Sequence, residues 1–232
     1  MIEDCSEDCS ENLKEVHFSR DKSDFLKKVY GLLSLQLLFT SMFCYITVQT
    51  KQLEPFIKDE TIFLSSIVFS IASICGMYFY SKSYPLNILL LVMFTICESF
   101  IISRICFISV LEGKQELVLL ALSTTTTVFI SLSAFVAFTK KDFTYLQNLL
   151  YVGTFTLLVL FVSRIFITSS ILDLFMCWFG ILLFSGFILY DTSLIFNKFG
   201  PDDAIIATLN LYLDFINMFL MILQLLNQGN GS

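Results

Sequence analysis

Asp191 stands in the apolar stretch Leu183 to Phe196, and Asp214 stands in the next one, Ala204 to Leu226. A carboxylate near the centre of a bilayer costs on the order of 3 kcal/mol even on lenient insertion scales, so a membrane chain keeps one where it has a partner and a use. Two of them on neighbouring helices offer a definite chemistry. If they meet, like-charge repulsion and poor solvation favour one proton shared between them, which makes a pH-sensitive latch between two helices. Once that proton leaves, the carboxylates repel each other or recruit a cation, and hard oxygen ligands suit Ca²⁺. Asp191 and Asp214 are therefore the candidate ion-binding and gating residues, and the candidate metal ligands.

Asn210, Asp214, Asn217 and Gln224 recur at spacings of 4, 3 and 7, which places them along one helical face. Asn210 and Asn217 are candidates to add amide oxygens to the site. Hydrogen bonding between helices, at about 0.6 kcal/mol per bond, accounts for such amides as well but not for a carboxylate. Asp191 lies five residues before the end of its run and Asp214 ten after the start of the next. At 1.5 Å per residue the depths are about 8 and 15 Å, a gap that tilt and side-chain reach can close. The competing arrangement has each aspartate capping or pairing alone, with a base such as Lys198. Glu98 is a third acid inside a run, with Thr95 on its own face and Arg104 too far round the helix to pair with it. Structural pairing and a place on an ion path are both open to it. The hydroxyl run Ser123 to Thr127, with Ser131, reads as packing, because such hydroxyls bond to the preceding helical turn.

These residues need elements to hold them, and the composition says which. The chain has 232 residues, 56% hydrophobic and 16% aromatic with 26 Phe, well above the roughly 45 to 50% apolar content of soluble domains. This is the composition of an integral membrane protein. Seven runs are long enough to cross about 30 Å of hydrocarbon: Val29 to Val48, Thr61 to Tyr80, Leu86 to Phe107, Glu116 to Phe138, Leu146 to Ile167, Leu172 to Phe196, and Ala204 to Leu226. The expected architecture is all-α, a seven-transmembrane-helix bundle over residues 25–226, with six spans plus a re-entrant C-terminal helix as the alternative.

Residues 1–24 hold eight of the acids and three bases, and their low apolar content predicts an acidic disordered cytosolic tail. Residues 227–232 read as a flexible C-terminal tail. With the N-terminus cytosolic, nine Lys and Arg fall on that side and five on the other, which supports this orientation. Five of the seven cysteines lie in apolar stretches and read as packing, while Cys5 and Cys9 share the acidic tail, where a metal is the weaker reading.

Several motifs together resemble a known family. Phe25-Leu26-Lys27-Lys28-Val29-Tyr30 with Leu33-Ser34-Leu35-Gln36-Leu37-Leu38 is similar to the first-span entry of the transmembrane Bax-inhibitor-motif family. So are Tyr84-Pro85-Leu86-Asn87, Phe94-Thr95 with Glu98, and Thr139-Lys140-Lys141-Asp142-Phe143. The last two motifs, Phe184-Ser185-Gly186-Phe187-Ile188-Leu189-Tyr190-Asp191-Thr192 and Leu209-Asn210-Leu211-Tyr212-Leu213-Asp214-Phe215-Ile216-Asn217, carry the two aspartates. The short tail, without Pro, Gly and Tyr repeats, resembles the Golgi anti-apoptotic branch.

The resemblance implies a Bax-inhibitor-type bundle and a pH-sensitive Ca²⁺ leak of Golgi or endoplasmic reticulum membranes, gated by protons on Asp191 and Asp214. By the same resemblance the protein lowers store Ca²⁺, inhibits apoptosis and modulates adhesion and migration. Asp173 stands where the Golgi branch has a luminal acid that affects conduction, so the implied ion path comprises Asp173, Glu98, Asn210 and Asn217. Implied partners are membrane lipid, Ca²⁺ as permeant ion, protons, Bcl-family proteins or Ca²⁺-release receptors, and a second copy of the chain; no cofactor and no nucleic acid are implied. Two departures stand out. Bacterial relatives hold their aspartate pair with an arginine from the second span, and Thr61 to Tyr80 contains none, leaving Lys82 just beyond it. The family's basic C-terminal tail is also missing.

Other classes fit less well. An intramembrane aspartyl protease needs Tyr-Asp followed by Gly-x-Gly-Asp and Pro-Ala-Leu, whereas Asp214 follows Leu211-Tyr212-Leu213 and no Pro-Ala-Leu occurs. The only histidine, His17, lies in the tail, which disfavours serine or zinc mechanisms, so the expectation is a protein that is not an enzyme. A non-conducting anti-apoptotic scaffold leaves the two aspartates without a role.

Overall fold

The computed structural model describes residues 2–229, with side chains from Asp21 onward. Most of the acidic tail read over 1–24, with Cys5 and Cys9, and the end of the tail read over 227–232 lie outside the described side chains. Among the described residues eight α-helices follow one another: α1 (Ile2–Gln49), the short α2 (Glu54–Lys58), α3 (Glu60–Tyr80), α4 (Leu86–Leu111), α5 (Gln115–Thr139), α6 (Gln147–Phe166), α7 (Ser170–Asn197) and α8 (Ala204–Gly229). No strand occurs among the described residues. All but α2 are long and apolar enough to cross a membrane, α1 through its segment Asp21–Gln49.

The sequence patterns place the ends of the spans within four residues, except at the start of the first, read at Val29, which α1 carries further toward the N-terminus. Asp59 starts α3 by accepting the Thr61 and Ile62 amides at 2.7 and 3.3 Å, which satisfies donors that a first turn leaves orphaned. Lys140 ends α5 in the left-handed region at φ 51°. The small α2 has no counterpart among the apolar runs, because five residues starting Glu54-Pro55 are too short for a periodic signal.

Helix α8 is the axis of the bundle. Of its apolar window, 72% is buried, against 17 to 33% for the other spans, and α1, α4, α5 and α7 all pack on it. At 26 unbroken residues it is about 39 Å long, so it crosses once instead of dipping and returning. The alternative of a re-entrant C-terminal helix is thereby corrected to a seventh span. The remaining helices carry exposed apolar side chains such as Leu38, Leu119, Phe155 and Leu182; in a membrane these meet lipid tails. Helix α6 packs on α7 through reciprocal small residues. A Cβ on Gly153 would stand 2.5 Å from Leu183 Cδ1, and one on Gly186 2.8 Å from Leu150 Cδ2, the close approach that lets membrane helices associate by packing.

Odd crossings run away from the face where α1 enters and even ones return. The amino-terminal face thus holds the α3–α4, α5–α6 and α7–α8 connections. On it, Asp142 in the α5–α6 loop accepts the Thr144 amide at 2.8 Å and the Ser193 hydroxyl at 3.3 Å, while Ser193 Oγ accepts the Phe143 amide at 2.9 Å. The Thr144 hydroxyl and amide, then the charge of Lys198 and the Ser193 hydroxyl, hold the Asp142 carboxyl below the usual carboxylate range. A carboxyl lowered by folding stabilises above its unfolded value and loses that contribution as pH falls through the folded one. The protection factors of the Phe143 and Thr144 amides, their exchange rates taken relative to the intrinsic rate at each pH, are therefore expected to stay flat from neutral pH down through the ordinary carboxylate range and to fall only below it. Asp142→Asn should remove this acid-induced step.

Candidate functional site

Asp191 sits less than two turns from the end of α7, and Asp214 lies in the middle of α8. The two helices pack along their lengths and bring the carboxyls within hydrogen-bonding range of each other. Asp191 is 4% exposed and Asp214 5%. Asn210 Nδ2 donates to Asp191 Oδ1 at 3.4 Å, so one amide of the α8 stripe joins the pair. Asp214 Oδ2 is buried with no other hydrogen-bond donor. Two acids in contact, one oxygen bare, form a site completed by a proton or a cation.

No described base neutralises them. Among the described residues neither carboxylate forms an ion pair; the pairs are Asp24–Lys27, Glu54–Lys58, Glu112–Lys114 and Arg164–Asp173. Lys198, the candidate for a separate pairing, acts with its charge on Asp142 instead. Lys82 does not stand in for the second-span arginine either. The second span instead contributes Tyr78, which with Tyr190 lies close enough to Asp191 to feel its charge.

The other candidates are dispersed. Asn217 donates to Leu213 O one turn back at 2.8 Å and lines a cavity of about 570 Å³ between α4, α6, α7 and α8. That cavity opens on the far face and is lined by Glu112, Arg164, Asp173, Asn217, Gln224 and Asn227 among others. Arg164 Nε meets Asp173 Oδ1 at 2.9 Å, while Gln224 Nε2 and Asn227 Oδ1 are buried without partners, as expected where water completes them. Glu98 is not part of this vestibule: its Oε1 accepts from Ser70 Oγ of α3 at 2.6 Å. Arg104 turns away to the carbonyls of Lys58 and Asp59 and stacks on Phe63 at 4.5 Å. In the hydroxyl run, Thr125, Thr126 and Thr127 bond to carbonyls one turn back.

Sequence reasoning missed a polar seam between α1, α4 and α8. Gln36 Nε2 donates to Thr95 Oγ1 at 2.7 Å, and Thr40 Oγ1 bonds both Ser99 Oγ at 3.1 Å and Tyr212 Oη at 2.8 Å. The available signal was the four-residue spacing Gln36/Thr40 opposite Thr95/Ser99.

The model of the family "Inhibitor of apoptosis-promoting Bax1" matches residues 22–231. This chain belongs to that family. The Golgi anti-apoptotic protein of Vaccinia virus (strain Lister) is 34% identical over 207 residues, 89% of this chain and 86% of the relative. Protein lifeguard 4 of Mus musculus is 34% identical over 210 residues, covering 89% and 85%, and Bax inhibitor 1 of Schizosaccharomyces pombe is 35% identical over 218 residues, covering 90% and 78%. The match includes every span and both aspartates. Family membership places the chain among non-catalytic, multi-pass membrane proteins, and the protease alternative falls with it.

Proposed function

We propose that the protein is a proton-gated Ca²⁺ leak of Golgi or endoplasmic reticulum membranes, with Asp191 and Asp214 as its gate. The observation that carries this reading is the buried carboxyl contact with no base beside it among the described residues. With one shared proton the pair bonds α7 to α8 and the gate is closed. When the proton leaves, two charges in a low-dielectric site repel, the helices part, and a divalent cation has two carboxylates and the Asn210 amide group to meet. Flux therefore rises with pH on the side from which the pair titrates.

With the N-terminus cytosolic, Asp191 lies toward the cytosol and the vestibule toward the lumen. Asn217 and Gln224, on the Asp214 stripe of α8, lead from vestibule to pair, which supports a path with the luminal acids Asp173 and Glu112 at its mouth. Glu98 is a side branch in this reading, held by Ser70. A leak lowers store Ca²⁺, and through that reduces apoptotic signalling and alters adhesion and migration. The relatives named for Bax inhibition and anti-apoptotic action support this consequence. Bcl-family proteins, Ca²⁺-release receptors and a second copy are the partners such a role invites.

Purified protein in vesicles loaded with a Ca²⁺ indicator tests the reading: flux above protein-free vesicles is expected, and its absence would overturn it. Asp173→Asn should lower that flux several-fold, because it removes a negative charge from the mouth and leaves Arg164 repelling cations. Unchanged flux in this variant would remove the vestibule from the path.

A further inference from the structure

Cysteines lie in five of the helical positions described, and two of them meet. Ser103 Oγ of α4 donates to Cys44 Sγ of α1 at 3.2 Å, and Cys106 follows Ser103 by three residues on the same face of α4, which places it beside Cys44 where the two thiols influence each other. Cys106 is buried and Cys44 half-buried; both are free thiols. Their sulfurs line a cavity of about 500 Å³ between α1, α4, α5 and α8, whose rim carries Gln49, Gln115 and Glu116. Each cysteine lies five residues from the far-face end of its helix, about 8 Å deep. The cavity thus connects the thiols to the membrane surface. Neither the acid pair nor the vestibule uses them.

We propose that Cys44 and Cys106 form a dithiol–disulfide site, oxidised by a small organic disulfide that enters through this cavity. Cys44 is the attacking thiol, since it is the more open of the two and the Ser103 hydroxyl stabilises negative charge on its sulfur. Its sulfur bonds to one sulfur of the incoming disulfide, whose S–S bond breaks, and the other half leaves as a thiol with the proton that Cys44 gave up. Cys106 then attacks the Cys44 sulfur and expels the second thiol, which takes the Cys106 proton. The small disulfide is reduced to two thiols and the two cysteines are oxidised to one disulfide. The product ties α1 to α4 beside the Thr40–Ser99 bond and fixes the seam against α8.

The test treats the purified full-length protein in detergent with 2,2′-dithiodipyridine and maps the cysteines by mass spectrometry of proteolytic fragments. The expected result is a cross-link joining the Cys44 and Cys106 fragments, with pyridyl adducts and no cross-link at Cys75, Cys97 and Cys177. In Cys106→Ser the cross-link should vanish and Cys44 should keep a pyridyl adduct, because the resolving thiol is gone. Stable adducts on both Cys44 and Cys106 in the wild type, or no reaction at either, would overturn the proposal. The readout is covalent, so failure of the Ca²⁺ reading leaves it untouched.

Discussion

Asp214→Asn is expected to cut Ca²⁺ flux at least tenfold at the pH where the wild type conducts best, and to abolish its pH dependence. The amide is close to isosteric with the acid but carries no charge and always has protons to donate. Next to Asp191 it makes in every condition the bond that the wild type makes only when the pair is protonated, so α7 and α8 stay latched. Tenfold corresponds to about 1.4 kcal/mol, a modest demand on a repulsion between two charges that are only 4% and 5% exposed. The same change relieves a bare carboxyl oxygen of its need for a proton or a cation. The thermal midpoint in detergent should accordingly equal or exceed that of the wild type, which separates a locked gate from a misfolded protein. Asp191→Asn should behave alike, with the Asn210 bond weakened as well. Flux and pH response unchanged in both variants would detach the pair from gating.

Tyr212→Ala is expected to have the largest effect on stability. Tyr212 is fully buried on α8, packs edge-on against Phe94 with ring centroids 5.6 Å apart, and shares a hydrogen bond between its hydroxyl and that of Thr40 at 2.8 Å. Truncation removes the ring from the contact of α1, α4 and α8, for which large aromatic deletions cost about 3 to 5 kcal/mol. The expected outcome is a large fall in the thermal midpoint or loss of folded protein from membranes. Tyr212→Phe keeps the ring and should cost about 0.6 kcal/mol, the usual worth of one hydrogen bond between membrane helices. Similar losses in the two variants would show that the hydroxyl, not the ring, holds the seam.

The spans were legible because lipid leaves the backbone no partner but itself, and a run of some twenty apolar residues then has one solution. The contact of Asp191 and Asp214 was legible for a related reason: two depths on consecutive helices joined by a short connection leave little freedom. Which polar group met which was not legible. Lys198 looked available to Asp191 by position, yet its charge acts on Asp142 of the α5–α6 loop. Asn217 shares the face of Asp214 but bonds its own helix and faces the vestibule. Glu98 meets Ser70, and Cys44 meets Cys106, across helix pairs whose rotations no single-helix pattern encodes. The short α2 and the crossing of α6 on α7 through Gly153 and Gly186 are likewise products of packing. Family membership came from the motifs, while the absence, among the described residues, of any base beside the acid pair came only from the structure.

The central claim is that a proton on the Asp191–Asp214 pair closes a Ca²⁺ path. Its most direct test is Ca²⁺ flux through vesicles of the wild-type protein as the pH on the amino-terminal face is stepped upward at constant Ca²⁺ gradient and constant pH opposite. A flux that rises with each step and returns when the pH is lowered is the predicted result; a flux that exceeds protein-free vesicles but stays level across the steps, or falls as the pH rises, would contradict it.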